Sequence, residues 1–357
     1  MKTFIKGNVA LATSALNAGC RAYFGYPITP QNEIIEHMRE HMPEDGVCIQ
    51  AESEVASINM VFAAAAVGVR AMTSSSGPGI PLMQEGISAI ASAELPAVIV
   101  NVMRNGSGGG NISPGQGDYF SAVKGGGNGD YRTLVLSPNC VQEMYDLTAL
   151  AFDLADQYRN PVMILADGAV AQMTEFCDMR PIVPTPTDKS WALSGRDVLS
   201  DGHLTGKAKS IITWHWSKEA SRDFQFKLQK KYEGAAAKHT MVEEYLVEDA
   251  EVVCICFGAI SRLTQSAVAA CRAQGVRAGM IRPITLYPYP SASLQKLKPD
   301  QKILVIEQNN GQMLEDVERF CRAMPNEIHF KGGGGGIFPT SNEIVDRIKE
   351  LIDVEVV

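Results

Sequence analysis

Apolar positions along this 357-residue chain follow two periods, and their alternation predicts the architecture. Short runs rich in β-branched and aromatic residues, at 22–26, 47–49, 70–73, 97–102, 133–137 and 161–166, read as strands. Between them, apolar residues recur every three to four positions at 7–19, 31–41, 55–67, 80–93 and 141–158, and these segments read as helices. Such alternation implies an α/β fold with a parallel, doubly wound sheet. The pattern breaks near residue 185. Pro181, Pro184 and Pro186 open a stretch that holds Trp191, Trp214 and Trp216, followed by a charged, helix-capable segment at 217–238. Apolar strands resume at 252–257, 276–281 and 302–307, with helices at 261–274, 312–321 and 341–352. The expected division is a ligand-binding domain at 1–185, a linker or arm at 186–245 packed through its tryptophans, and a smaller α/β domain at 246–357.

One segment breaks the apolar rule in an informative place. Gln50-Ala51-Glu52-Ser53-Glu54 sets two carboxylates where a strand hands over to the nearly charge-free helix at 55–67, closed by Gly68. Acidic residues are favourable at a helix N-terminus, where unpaired N–H groups and the macrodipole stabilise negative charge. That capping reading accounts for Glu52. It accounts less well for Glu54, because an acid opening so apolar a helix is desolvated unless something binds it. Kept from water, such a carboxyl can share a proton with a heterocyclic nitrogen.

Three further stretches fall at the ends of predicted strands. Tyr26-Pro27-Ile28-Thr29-Pro30 holds extended backbone between two prolines and presents the Thr29 hydroxyl where open α/β sheets bind ligands. The small residues of Ser74-Ser75-Ser76-Gly77-Pro78-Gly79 let backbone approach a ligand closely, or simply make a tight turn. Arg104, following a strand and preceding glycine-rich loop 106–129, is a candidate anion clamp as much as a surface salt bridge.

Composition narrows the function classes. Hydrophobic residues make up 45% and charged residues 20%, ample for a large core. The net charge of −8, with no basic stripe among aromatics, argues against a nucleic-acid partner. No apolar run reaches the length of a membrane span, and the start Met1-Lys2-Thr3-Phe4 lacks a signal-peptide core, so the expected location is cytoplasmic. Eight scattered cysteines without a CxxC pair point to reduced thiols and to no iron–sulfur cluster on this chain. Six dispersed histidines offer no metal-ligand spacing.

Taken as a set, Tyr26-Pro27-Ile28-Thr29-Pro30, Glu52-Ser53-Glu54, Ser76-Gly77-Pro78-Gly79 and Asn101-Val102-Met103-Arg104 resemble the alpha subunit of 2-oxoacid:ferredoxin oxidoreductases. Gln116-Gly117-Asp118-Tyr119-Phe120, Val123-Lys124-Gly125-Gly126-Gly127 and Gly129-Asp130-Tyr131-Arg132 resemble the branched-chain (2-oxoisovalerate) members. Ile281-Arg282-Pro283-Ile284-Thr285-Leu286 and Glu307-Gln308-Asn309 fit that family's transketolase C-terminal-like domain.

The resemblance implies a pyrimidine-binding domain for thiamine diphosphate at 1–185. Glu54 would be the catalytic residue, hydrogen-bonding the aminopyrimidine and favouring the imino tautomer that forms the thiazolium ylid. Tyr26, Pro27 and Gly77 would join Glu54 in binding the cofactor, while Thr29, Arg104, Ile28 and Pro27 would bind the 2-oxoacid. The product would be an acyl-CoA, with coenzyme A as substrate and electrons passed to ferredoxin. A beta subunit would supply the diphosphate and Mg2+ site, and gamma or delta subunits the iron–sulfur clusters. Ala166-Asp167-Gly168 and Asn309-Asn310 look like fragments of a thiamine diphosphate motif, but they are expected in different domains and are read as coincidence. No metal site is expected on this chain. Two other readings share the fold: a 2-oxoglutarate or aryl 2-oxoacid enzyme, and a non-catalytic binding module. A nicotinamide dehydrogenase lacks its glycine fingerprint here.

Overall fold

A computed structural model describes residues 2–193 and 209–352. The first part runs β1 (Lys2–Lys6), α1 (Gly7–Asn17), β2 (Ala22–Gly25), α2 (Asn32–His41), β3 (Val47–Gln50), α3 (Glu54–Ala66), β4 (Ala71–Ser75) and α4 (Gly79–Ser92). It continues with β5 (Ala97–Met103), α5 (Tyr119–Val123), β6 (Leu134–Leu136), α6 (Val141–Tyr158), β7 (Pro161–Asp167), α7 (Gly168–Gln172) and β8 (Thr174–Asp178). The second holds α8 (Lys218–Lys238), β9 (Val242–Tyr245), β10 (Val252–Ile255), α9 (Ala259–Ala273), β11 (Ala278–Pro283) and β12 (Thr285–Tyr287). It closes with α10 (Ser291–Leu294), β13 (Lys302–Ile306), α11 (Gln312–Cys321), β14 (Ile328–Lys331) and α12 (Ser341–Ile352).

The larger sheet has seven strands in the order β12-β6-β7-β5-β4-β2-β3, parallel except for β12. Its central strands β5 and β7 are buried at every position, as a sheet covered by helices on both faces requires. Each large aliphatic chain shut away there, such as Ile99 or Ile164 at 0% exposure, contributes about 1.5–3 kcal/mol of burial free energy. From β2 the chain turns outward to β3, then crosses back to β4 on the other side. The reversal opens a crevice between the carboxyl ends of β2 and β4, where open α/β sheets bind ligands.

The second sheet has five strands in the order β14-β13-β10-β11-β9. Two boundaries depart from expectation. Val242–Tyr245, placed in the arm, pairs antiparallel with β11 and so belongs to this sheet. Thr285–Tyr287, placed in the second domain, is the edge strand of the first sheet, paired with β6. A two-stranded ribbon of β1 and β8, which the periodicity did not signal, closes the first unit. Residues 194–208 of the expected arm lie outside the described residues. Its tryptophans divide: Trp191 sits under the Arg159 guanidinium at 4.4 Å and packs on the core, whereas Trp214 and Trp216 are 67% and 93% exposed.

Candidate active site

Four loops meet outside the carboxyl ends of β2 to β5. The β3–α3 turn begins when Ala51 N–H bonds the Gly25 carbonyl at 2.9 Å, and Ser53 then caps α3 by accepting from Ala56 N–H at 3.2 Å. The cap is therefore Ser53, and Glu52, to which sequence reasoning gave that task, is exposed. Capping at Ser53 makes Glu54 the first helical residue and turns it inward, where it is 6% exposed. Ser75, the last residue of β4, donates its hydroxyl to Glu54 Oε1 at 3.3 Å. Among the described residues this is the only hydrogen bond to that carboxyl, so most of its accepting capacity is uncommitted. Gly79 opens α4 directly over the pair, and a Cβ there would collide with both Ser75 Oγ and Glu54 Oε1. Beside them the Ser76 hydroxyl is buried without a partner.

Arg104 leaves the end of β5 and reaches back. Its Nη1 donates to the Thr29 carbonyl and its Nη2 to the Gly109 carbonyl, at 3.1 and 2.9 Å, while its Nε is buried and unpartnered. The guanidinium lies across Gly77, whose φ of +49° suits glycine and where a Cβ would stand 2.5 Å from Nε. The geometry thus joins Thr29, Gly77 and Arg104, and puts Glu54 on the same side through the Ser75–Gly79 loop. Thr29, Pro27 and Tyr26 are exposed and Ile28 is half-buried. They form an open lip around a buried carboxyl.

Several residues that hold this lip carry no motif signal. Gln31 donates to the Tyr26 carbonyl at 3.1 Å and accepts from Ser74 Oγ at 2.5 Å, and Ser74 in turn bonds the Tyr23 hydroxyl at 2.6 Å. Burial pushes the Tyr23 phenol well above its ordinary range, so it stays a neutral hydrogen-bonding group. Asn8 and Gln172 both donate to the Pro30 carbonyl, at 2.8 and 2.6 Å, tying down the end of the loop where α2 begins; the Thr29–Pro30 peptide just before it is cis. Asn101, on β5, donates to Asp118 at 3.0 Å. Burial raises the Asp118 carboxyl, against the lowering effects of Asn101 and the Arg104 charge.

Beneath Arg104 the two units are clasped. Asp167, which pairs with Met103 in the β5–β7 ladder, is fully buried. Its Oδ2 accepts from Ala259 N–H at the start of α9 at 2.7 Å, and from Gln116 Nε2 at 3.4 Å. Gln116 also accepts from Gln308 N–H at 3.0 Å, and its carbonyl accepts from Asn309 Nδ2 at 2.8 Å. The fragments around Asp167 and Asn309, read from sequence as a coincidence, therefore meet through Gln116. Among the described residues no group of three His, Cys, Asp or Glu side chains is arranged to hold a metal ion.

Comparison with known proteins identifies the family. Residues 13–214 match the family described as pyruvate flavodoxin/ferredoxin oxidoreductase, thiamine diphosphate-binding, and residues 250–344 match pyruvate:ferredoxin oxidoreductase core domain II. The ketoisovalerate oxidoreductase subunit VorB of Methanothermobacter thermautotrophicus is 45% identical, over 97% of each chain. The 2-oxoglutarate synthase subunit KorA of Methanocaldococcus jannaschii is 36% identical, over 93% of this chain and 95% of that one. Among solved structures, the 2-oxoglutarate:ferredoxin oxidoreductase of Magnetococcus marinus, with 2-oxoglutarate, coenzyme A and succinyl-CoA bound, superposes with a TM-score of 0.86 at 27% identity. That match covers 98% of this chain, which spans 65% of the solved chain's length.

Proposed function

The chain belongs to the 2-oxoacid (pyruvate-type) flavodoxin/ferredoxin oxidoreductase family, and from that premise we propose that it is the alpha subunit of a branched-chain 2-oxoacid:ferredoxin oxidoreductase. The observation that carries the reading is the Glu54 carboxyl, 6% exposed and with one hydrogen bond made among the described residues, at the crevice between β2 and β4. A carboxyl so placed suits the ring nitrogen of a thiamine pyrimidine. The unpartnered Ser76 hydroxyl lies beside it, and Gly79 and Gly77 let Glu54 and Arg104 pack directly against the loop backbone. When bound, thiamine diphosphate supplies the carbon nucleophile and electron sink that loss of carbon dioxide from a 2-oxoacid needs. Glu54 would hold a proton at the pyrimidine ring, with Tyr26, Pro27 and Gly77 around it. Arg104 and Thr29 would orient the substrate carboxylate, and Ile28 and Pro27 would give its side chain an apolar wall. Coenzyme A would take the acyl group.

Apolar side chains surround the opening. Val55 and Leu82, next to Glu54 and in the first turn of α4, are 46% and 53% exposed. Large apolar groups left open beside a buried acid support coverage by a partner subunit. We assign to that beta subunit the diphosphate and Mg2+ half of the cofactor site, and to gamma or delta subunits the iron–sulfur clusters that lead to ferredoxin. No described helix is long and apolar enough to cross a membrane, which fits a cytoplasmic complex. Branched-chain substrate is preferred over 2-oxoglutarate because the ketoisovalerate relative is the more similar, at 45% identity against 36%.

The test is CoA-dependent reduction of a viologen dye by the chain co-purified with its partners. Turnover is expected with 2-oxoisovalerate in preference to 2-oxoglutarate, and Glu54→Gln is expected to abolish it. Unchanged turnover in that variant would falsify the assignment of Glu54.

A further inference from the structure

A second cleft, of about 260 Å3, opens on a different flank, where α5 and the loop after it meet β12 and α11. Its walls carry three cations, Lys124, Arg132 and Arg319, and three aromatic rings, Tyr287, Tyr289 and Phe320. Lys124 and Arg132 belong to the glycine-rich motifs at 123–132, which the decarboxylation chemistry leaves without a task. Lys124 is committed: it pairs with the buried Asp316, whose other oxygen accepts from the Tyr119 hydroxyl at 2.8 Å. Among the described residues neither Arg132 nor Arg319 has a carboxylate within 4.0 Å. Arg132 is anchored by donating to the carbonyls of Lys124 and Tyr131, both at 3.2 Å, and its guanidinium stands 5.9 Å from the Tyr287 ring centre. The Arg319 guanidinium stands 5.3 Å from the Phe320 ring, which stacks on Tyr289 at 5.1 Å and 16°. Tyr289 is 9% exposed, and its hydroxyl is buried with no partner.

Guanidinium groups recognise phosphate through a fixed fork of donors, and they share aromatic faces with planar rings. We propose that this cleft binds a phosphorylated nucleoside. The phosphate lies between Arg132 and Arg319, and the base lies along the half-buried Tyr287 ring. Two sources carry that chemistry, a free nucleotide and the nucleotide end of coenzyme A.

Calorimetric titration of the purified complex with AMP, with the adenosine bisphosphate that forms one end of coenzyme A, and with inorganic phosphate reads binding without turnover. Its failure is therefore separable from failure of the thiamine reading. Expected is saturable binding of at least one nucleotide, weakened roughly tenfold by Arg319→Gln, the size of one charge-assisted hydrogen bond. Arg319 is exposed, so the variant keeps its fold. Adenosine bisphosphate that also competes with coenzyme A in the dye assay identifies the coenzyme as the source. AMP binding that leaves coenzyme A saturation unmoved identifies a free nucleotide. No heat from either nucleotide, phosphate binding as tightly as both, or an affinity untouched by Arg319→Gln overturns the proposal.

Discussion

The guanidinium of Arg104 and the carbonyl of Thr29 are joined by a 3.1 Å hydrogen bond, so one cation ties the end of β5 to the loop that follows β2. Its second nitrogen holds the glycine-rich loop at Gly109. A lysine has the charge but not the fork, and it cannot span both carbonyls. Arg104→Lys is expected to lower kcat/KM for the 2-oxoacid about 10- to 100-fold, as the loss of charged hydrogen bonds does. Steady-state assays of the complex measure this, and a value within error of the parent would remove Arg104 from the substrate site.

Gly79 gives a steric prediction. A methyl group there meets the Ser75 hydroxyl and the Glu54 carboxyl, and both must turn away, which breaks the hydrogen bond between them. Gly79→Ala is expected to cost about 1–3 kcal/mol, the usual range for overpacking. It should also weaken thiamine diphosphate binding by the complex. Thermal unfolding and cofactor titration report the two effects, and full retention of both would mean that the crevice is roomier than described.

Asp167 gives a pH prediction. Burial pushes its carboxyl up to about 7, only partly offset by the N–H of Ala259 and the Gln116 amide. The folded chain thus holds this proton more tightly than the unfolded chain, where an aspartate titrates near its ordinary value of about 3.9. Stability from this group is complete below the unfolded value and is lost as pH rises towards about 7, after which it levels off. Asp167→Asn carries no titrating proton and should flatten the contribution. The measurement is the difference in urea midpoint between parent and variant from pH 5 to 8. A difference that does not change with pH would contradict the shift.

Arg282 gives a stability prediction. It is 3% exposed and donates to Glu143 on α6 at 2.6 and 2.8 Å and to Glu243 on β9 at 2.7 Å, bridging the two units. Removing the cation leaves two carboxylates facing each other. Arg282→Met is expected to cost about 3 kcal/mol, the lower end for breaking a buried pair because both glutamates keep some water. Chemical denaturation of the purified chain measures it, and a loss below about 1 kcal/mol would class the bridge with ordinary surface pairs.

Much of the site was readable because its residues sit at junctions with strong local signals. Glu54 stood out as a charge against an apolar helix, and Arg104 as a charge at the end of an apolar strand. The residues that hold them did not. Gln31, Ser74, Tyr23 and Asn8 act through hydrogen bonds between positions 22 to 51 residues apart, and a polar residue next to a strand looks the same with or without such a partner. The same distance effect hid the β1–β8 ribbon and the passage of β12 into the first sheet. Thr285–Tyr287 is three residues long between Pro283 and Pro288, too short for a period, and its place is set by β6. Glu52 was misread for a local reason: the adjacent Ser53 competes for the same cap, and its short hydroxyl reaches the backbone N–H.

β3 lies at the outer margin of the seven-stranded sheet, with one flank unpaired among the described residues. Its sequence, Val-Cys-Ile-Gln, has neither charge nor proline to repel a newcomer, and Val47 and Ile49 stand 39% and 40% open. Such a margin is a template for any loose strand. In the laboratory, a solitary preparation should be judged first by whether it clumps and only afterwards by whether it turns over.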